Sequence, residues 1–472
     1  MSEINKKSLA PLNTQQLRQN YQAGIGSRDG QMLLGSEREI WFFDRDAAQA
    51  GRVQMMSPQQ SQAAFAELAQ QPSTVQVAWE ANGTRSLNRL PGAPVVMVAN
   101  PDGNVQLEMC GVFELATAPD SIANTPQQLA KQQAAFTQLG NAATKAGVVA
   151  SSLAVPASVT PADCLPNRVQ RERLLSEWAK FESEGADSPG LRTMGLSASV
   201  QVSLSYRDPA EAAEIMTLGN LLSPILYSVF ANTSGYIEGQ PSSIMPRPNW
   251  WQQHNKRAPR AGIPEPILAR MFAPSAPEEM LDGWIDYVKT VPMVYHIGAD
   301  GSPRFATSPS FNELSQQGLG TAANFSLAES LVWPDVKLIG GQRIELRAPD
   351  SGPWQQAGLT VLAATLFSDT ATRQELIREL KQSNNLGPDQ LQLSLGLVAN
   401  MNFKTPYGTH TVADQLQPLS ERIQAGAKAL DLPDASYSRL LEVMETCRSD
   451  FLDNRACNIQ GARQADLRAL AL

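Results

Sequence analysis

Apolar and polar residues alternate with a period of two through much of the first 120 residues, the pattern of strands with one face covered. Leu33 to Phe43, Leu107 to Leu115 and, far downstream, Ile344 to Trp354 carry it most clearly. Val75 to Glu80, Thr84 to Leu90 and Val95 to Ala99 add shorter strands around Asn82-Gly83, a strong hairpin signal. Consecutive strands joined by short turns imply an antiparallel sheet. The period changes to a helical one at Gln59 to Gln70, at Thr125 to Ala146, and from Asp208 to about Ala231, where Asp208 suits an N-cap and Pro209 the first helical position. Residues 1–26 carry the pattern of a leading helix. From Thr370 onward helical patterns such as Thr372 to Gln382 and Tyr437 to Leu452 alternate with polar loops. The expected fold is α+β: an antiparallel sheet with flanking helices, divided into an N-terminal helical arm (1–26), a core (27–369) and a helical C-terminal region (370–472).

The chemistry lies within the apolar strands. A period of two puts Glu345 and Arg347 on one face, with Ile344 and Leu346 on the other. Glu37 and Glu39 alternate in the same way. Glu108 and Glu114 are six apart, which keeps one face if the strand is unbroken, although Gly111 is a natural place for a bulge. One such charge pair alone reads as a surface ion pair. Three such strands do not, because burying four or five carboxylates uncompensated costs several kcal/mol apiece. A sheet that gathers them calls for cations, and divalent ions with oxygen ligands serve best. Gln201, on an otherwise apolar strand, could order a carboxylate or a metal-bound water, or be an amide satisfied by backbone.

Composition removes several classes of function. The 472 residues exceed the usual size of a single core. A net charge of −8 and a pI near 5.2, with Lys and Arg scattered, provide no basic field for nucleic acid. No apolar run is long enough to suggest a membrane span, and the start lacks an apolar leader, so a cytoplasmic protein is expected. Cys110, Cys164, Cys447 and Cys457 form no CxxC and have only three histidines to join, so reduced thiols rather than a zinc site are expected. No GxGxxG or P-loop occurs, so nucleotide binding through a glycine-rich loop at a helix start is not expected.

Taken in order, these segments resemble the plant-type glutamate-cysteine ligase family. Gly35-Ser36-Glu37-Arg38-Glu39-Ile40-Trp41 is similar to the family's GTEHEKF, Leu107 to Pro119 to its LEPGGQFELSGAP at identical spacing, and Ile344 to Trp354 to its LEMRGADGGPW. Val200 to Leu204 resembles VQVNL, Phe230 to Gly239 resembles FANSPFTEG, Asp286 to Met293 resembles VDYALDVPM, and Trp333 to Leu338 resembles FPEVRL. The likeness is colinear from about residue 27 to about residue 365. It implies a curved, glutamine synthetase-like antiparallel sheet that holds ATP through Mg²⁺ or Mn²⁺. Glu37, Glu39, Glu108, Glu114 and Glu345 would be the metal ligands and Arg347 the catalytic guanidinium, with Gln201 and Arg260 beside the nucleotide. Arg247 matches the arginine that reads amino-acid carboxylates, a task suited to its bidentate fork.

The implied activity is ADP-forming ligation of glutamate to cysteine through a γ-glutamyl phosphate, with small molecules as partners and an oligomeric state left open. Departures cluster around the substrate. The family's aspartate-rich WTDTDKDRTG becomes Trp251 to Gly262 with two residues more. Its PGGQ becomes Met109-Cys110-Gly111-Val112, and its GADGG becomes Ala348-Pro349-Asp350-Ser351-Gly352. A sibling ligase using another acid or amine, and a noncatalytic nucleotide-binding relative, are the alternatives. Retention of six buried charges favours catalysis.

Overall fold

The computed structural model describes residues 12–23, 30–79, 85–86, 94–108, 111–160, 163, 195–243, 245–253, 262–273, 276–293, 295–304, 309–397 and 404–448. Its centre is an eleven-stranded sheet made of β1 (Leu33–Asp44), β2 (Val75–Trp79), β3 (Arg85–Ser86), β4 (Val95–Asn100), β5 (Gly103–Leu107), β6 (Val112–Thr117), β7 (Asp120–Ser121), β8 (Val148–Ala150), β9 (Val200–Ser205), β10 (Val336–Ile339) and β11 (Arg343–Leu346). The spatial order is β10-β11-β9-β1-β6-β5-β4-β2-β3, with β7 and β8 also paired to β1. Every pairing is antiparallel. The fold is thus α+β, as the alternation of short strands and turns implies.

The helices that matter for the site are α1 (Thr14–Ala23), α2 (Pro58–Leu68), α3 (Thr125–Lys145), α4 (Pro209–Val229), α5 (Arg247–Gln253), α6 (Gln355–Leu366), α7 (Thr370–Arg378), α8 (Val412–Ala429) and α9 (Ser438–Arg448). Their starts follow capping chemistry. Asp208 accepts from Glu211 N at 2.8 Å with Pro209 next in the chain, and Ser57 and Gln60 form a reciprocal capping box. None of the described helices is long and apolar enough to cross a membrane.

One face of the sheet is apolar and covered. Val202, Leu204, Ile344, Leu346, Val336 and Leu338 pack with residues of α4 and α6, while Ile40, Phe113, Leu115 and Val105 pack with α2 and α3. Gly219 lets α4 approach closely: a Cβ there would lie 2.8 Å from Leu346 Cδ2 and 2.9 Å from Val336 Cγ2. Arg38 also points to this side, buried with its guanidinium 4.4 Å from the Phe136 ring centroid. The C-terminal helices join the same core, which runs from Leu17 to Met444. Arg373 of α7, fully buried, donates to Glu211 and Glu214 of α4 at 3.0 Å each.

The stretch from Leu107 to Leu115 is a hairpin and not one strand. β5 ends at Leu107, the chain reverses, and β6 begins at Val112, so Leu107 faces Phe113 and Gln106 faces Glu114. Gly111 takes a φ of +84°, which glycine adopts without strain. The six-residue spacing of Glu108 and Glu114 therefore reflects two strand ends around a turn. The Asn82-Gly83 turn, Met109 and the cysteines Cys110, Cys164 and Cys457 lie outside the described residues.

Candidate functional site

The opposite face carries the charges, because residues directly opposite on paired strands share a face. Glu37 faces Gln201 on β9 and Ala116 on β6, and Glu39 faces Glu114, which in turn faces Gln106 on β5. Glu345 faces Ser203 on one side and Lys337 on the other. Strand register alone thus collects Glu37, Glu39, Glu114 and Glu345 in the middle of the sheet, with Glu108 just past the end of β5. Two residues beyond Glu39 the same face turns apolar. There Trp41, Val112, Val155, Leu196 and Trp250 form a small core that closes one end of the acidic row.

Hydrogen bonds fix several of these groups. Arg347 Nη1 donates to both Glu345 Oε2 and Gln201 Oε1, so the strand pair read from spacing is a direct ion pair. The Gln201 amide nitrogen donates to Ser199 Oγ at 3.0 Å. Ser199 in turn donates its backbone N–H at 2.5 Å and its hydroxyl at 3.0 Å to Glu39 Oε2. Gln106 Nε2 donates to Glu108 at 3.1 Å and also to Glu114.

The row is over-supplied with negative charge. Burial, then Glu345, pushes the Glu37 carboxyl up to about 7. Burial, then Glu108, raises Glu39. Glu114 stands well above the usual carboxylate range, first from burial and then from Glu37, Glu108 and Glu39. Glu345 differs: burial pushes it upward, but Arg347, Lys337 and Arg343 together hold it below its ordinary value. The face is therefore bipolar, with cations beside β10 and β11 and raised carboxylates on β1 and β6.

Arg247, at the start of α5, is buried. Its Nη1 donates to Pro349 O at 3.0 Å and to Asp350 Oδ1 at 2.8 Å, while its Nε is buried without a hydrogen-bond partner. Arg260 lies outside the described residues. Three residues that spacing does not single out complete the surroundings. Ser199 holds Glu39, Asp350 pairs with Arg247, and Asp335 accepts from Tyr227 Oη at 2.5 Å while burial raises its carboxyl to about 6. The only sequence signal for Asp335 and Asp350 is their place inside two of the motif segments.

The donor set suits a hard divalent cation, since it consists of carboxylate oxygens that repel one another until neutralised. Among the described residues, no three Asp, Glu, His or Cys side chains stand close enough to share one ion as arranged.

A model of the Glutamate-cysteine ligase family 2 (GCS2) matches residues 34–442. The chloroplastic glutamate–cysteine ligase of Nicotiana tabacum is 22% identical over 271 residues, covering 56% of this chain and 48% of the tobacco protein. Glutamate–cysteine ligase A, chloroplastic, of Oryza sativa subsp. japonica is 21% identical over 266 residues, covering 54% and 51%. The chain thus spans about half the length of the curated relatives it matches. Among solved structures, the glutamate–cysteine ligase (gshA) of Francisella tularensis in complex with AMP superposes with a TM-score of 0.47 at 10% identity, covering 93% of this chain and 88% of that one. These relatives correct the cytoplasmic expectation. The plant proteins it matches are chloroplastic, so the cytoplasmic expectation does not stand. The expectation rested on the composition of the first residues, which does not decide a compartment. On the extent of the family match, which takes in the acidic strands, the Glu345–Arg347 pair and the first C-terminal helices, the chain belongs to the Glutamate-cysteine ligase family 2.

Proposed function

We propose that the protein is an ATP-dependent carboxylate–amine ligase that joins glutamate, through its γ-carboxylate, to cysteine and releases ADP and phosphate. The observation that carries this reading is the row of Glu37, Glu39 and Glu114 beside the Glu345–Arg347 pair on one face of the sheet. Joining a carboxylate to an amine in water is uphill. Phosphorylation of the donor carboxylate supplies both the driving force and a leaving group. A donor oxygen attacks the γ-phosphorus as the bond to ADP breaks; the amine then attacks the acyl carbon, and phosphate departs. Both steps build negative charge on phosphoryl oxygens, which calls for positive groups fixed in advance.

Arg347 is such a group, aimed by Glu345 and Gln201. Glu37, Glu39, Glu108, Glu114 and Glu345 would hold Mg²⁺ or Mn²⁺, whose charge would offset that of the triphosphate. Gln201 and Arg260 would lie beside the nucleotide. The unpartnered Nε of Arg247 supports a role toward the donor carboxylates, its Nη1 being committed to Pro349 and Asp350.

The test is ADP release by purified protein with ATP, Mg²⁺ and single or paired amino acids. The expected result is release that requires glutamate and rises with cysteine, with ¹⁸O from the donor carboxylate appearing in phosphate. Release without transfer of the label would exclude the acyl phosphate. No amino-acid-dependent release would exclude the ligase reading.

A further inference from the structure

The Arg247–Asp350 ion pair is among the most deeply buried in the described structure, with side chains 6% and 0% exposed. A pair of this kind gains little over an apolar pair of the same shape, so its presence points to a positional task. The bonds around it show which task. Asp350 Oδ1 accepts from Arg247 at 2.8 Å, and its Oδ2 accepts from the backbone N–H of Asn232 at 2.9 Å. Arg247 also donates to Pro349 O at 3.0 Å. The loop so gripped is bonded on its other side to the entry of β9, where Val200 N donates to Pro349 O and Ser351 N donates to Ala198 O. Ser199 lies between those two contacts, forms a bridge with Asp350, and holds Glu39 through its N–H and hydroxyl. Ser351 Oγ donates to Glu39 O. At the loop's start, Arg347 N donates to Asp335 O at 2.8 Å.

We infer that Asp350 is a positioning residue. By anchoring Arg247 and the loop 348–351, it holds the Glu39 carboxylate and the Arg347 guanidinium in one rigid frame. Its role in catalysis rests on the ligase reading above, but the frame itself does not. The carboxylate row and the cationic end come from strands more than 300 residues apart in the chain, Glu39 on β1 and Arg347 just after β11. The Asp350 loop is where they are tied together behind the reacting face. A displacement of about 1 Å there costs on the order of 10²-fold in rate.

Asp350→Asn keeps the side-chain volume and an acceptor for Asn232 but takes from Arg247 its ion-pair partner. Hydrogen exchange on this variant without substrates is expected to show about tenfold or greater loss of protection at the Ser199 and Arg347 amides. Its kcat for ADP release is expected to fall ~30-fold or more, while KM for ATP and for the donor moves less than about threefold. If Asp350→Asn does not fold, the double variant Arg247→Gln with Asp350→Asn removes both halves of the pair and is read by hydrogen exchange alone, since Arg247 is itself placed at the donor. A folded variant with unchanged protection at both amides overturns the frame. A variant that melts earlier but keeps its kcat overturns the catalytic role, since that is what a purely structural ion pair would do. Absence of amino-acid-dependent ADP release in the unaltered protein would instead sink the ligase reading, and the exchange comparison would still decide the frame.

Discussion

Glu345 is where charge compensation is tightest, and removing its charge should be the most informative single change at the site. Glu345→Gln leaves Arg347 without its ion-pair partner and removes one oxygen ligand from the row. We expect a loss of ~10³-fold or more in kcat, with the far-UV circular dichroism unchanged. A second residue-level expectation concerns pH. Glu37 is pushed up to about 7 and Asp335 to about 6. Between their ordinary values and these, the folded protein binds more protons than the unfolded chain, so stability falls as pH rises through that window. Glu345, held low, contributes the opposite sign only as pH falls below its ordinary 4.5. The metal-free melting temperature should therefore drop from pH 5 to pH 8 by about 2–6 °C. Added Mg²⁺ should raise it more at pH 8 than at pH 5, and equal increments would argue against the carboxylates as ligands. Glu37, Glu39, Glu345 and Arg347 are legible from sequence because charges recurring every second residue in apolar strands are rare. Ser199, Asp335 and Asp350 are not, since they sit in turns and strand entries where polar side chains are the ordinary choice.

At the scale of elements, the site depends on how closely α4 lies beneath β10 and β11. Gly219 has no room for a side chain between Leu346 and Val336. Gly219→Val should cost about 1–3 kcal/mol in urea unfolding. It should also lower kcat by displacing Glu345, and an unchanged urea midpoint would show that the helix can shift freely. The strands themselves follow from period-two patterning, and the helix starts at Ser57 and Asp208 from capping chemistry. The hairpin of β5 and β6 does not show in the pattern. In the sequence Met109 and Cys110 continue the apolar strand pattern, and Gly111 alone signals the reversal. Register was also beyond the sequence: that Glu39 faces Glu114 while Glu37 faces Gln201 is decided by long-range pairing, which leaves no local mark.

For the molecule as a whole, we propose that the segment from 370 onward buttresses the catalytic core and does not fold apart from it. Its helices share one apolar core with α4, and Arg373 ties them to Glu211 and Glu214. Arg373→Met should therefore cost about 1–3 kcal/mol, because Glu214 loses its ion-pair partner while Glu211 keeps Arg207. Unfolding in urea should remain a single transition seen alike by tryptophan fluorescence and circular dichroism, whereas two separated transitions would show an independent C-terminal unit. The place of β1 in the middle of the sheet has a consequence for biosynthesis. Leu34 to Arg38 pair on one side with Val200 to Leu204, about 160 residues later in the chain. At roughly 5–20 residues per second of translation, that edge waits on the order of 10–30 s for its neighbour. A nascent chain halted before residue 200 would present a half-finished sheet carrying unpaired amides and clustered carboxylates, a form that chaperones would have to shield from aggregation.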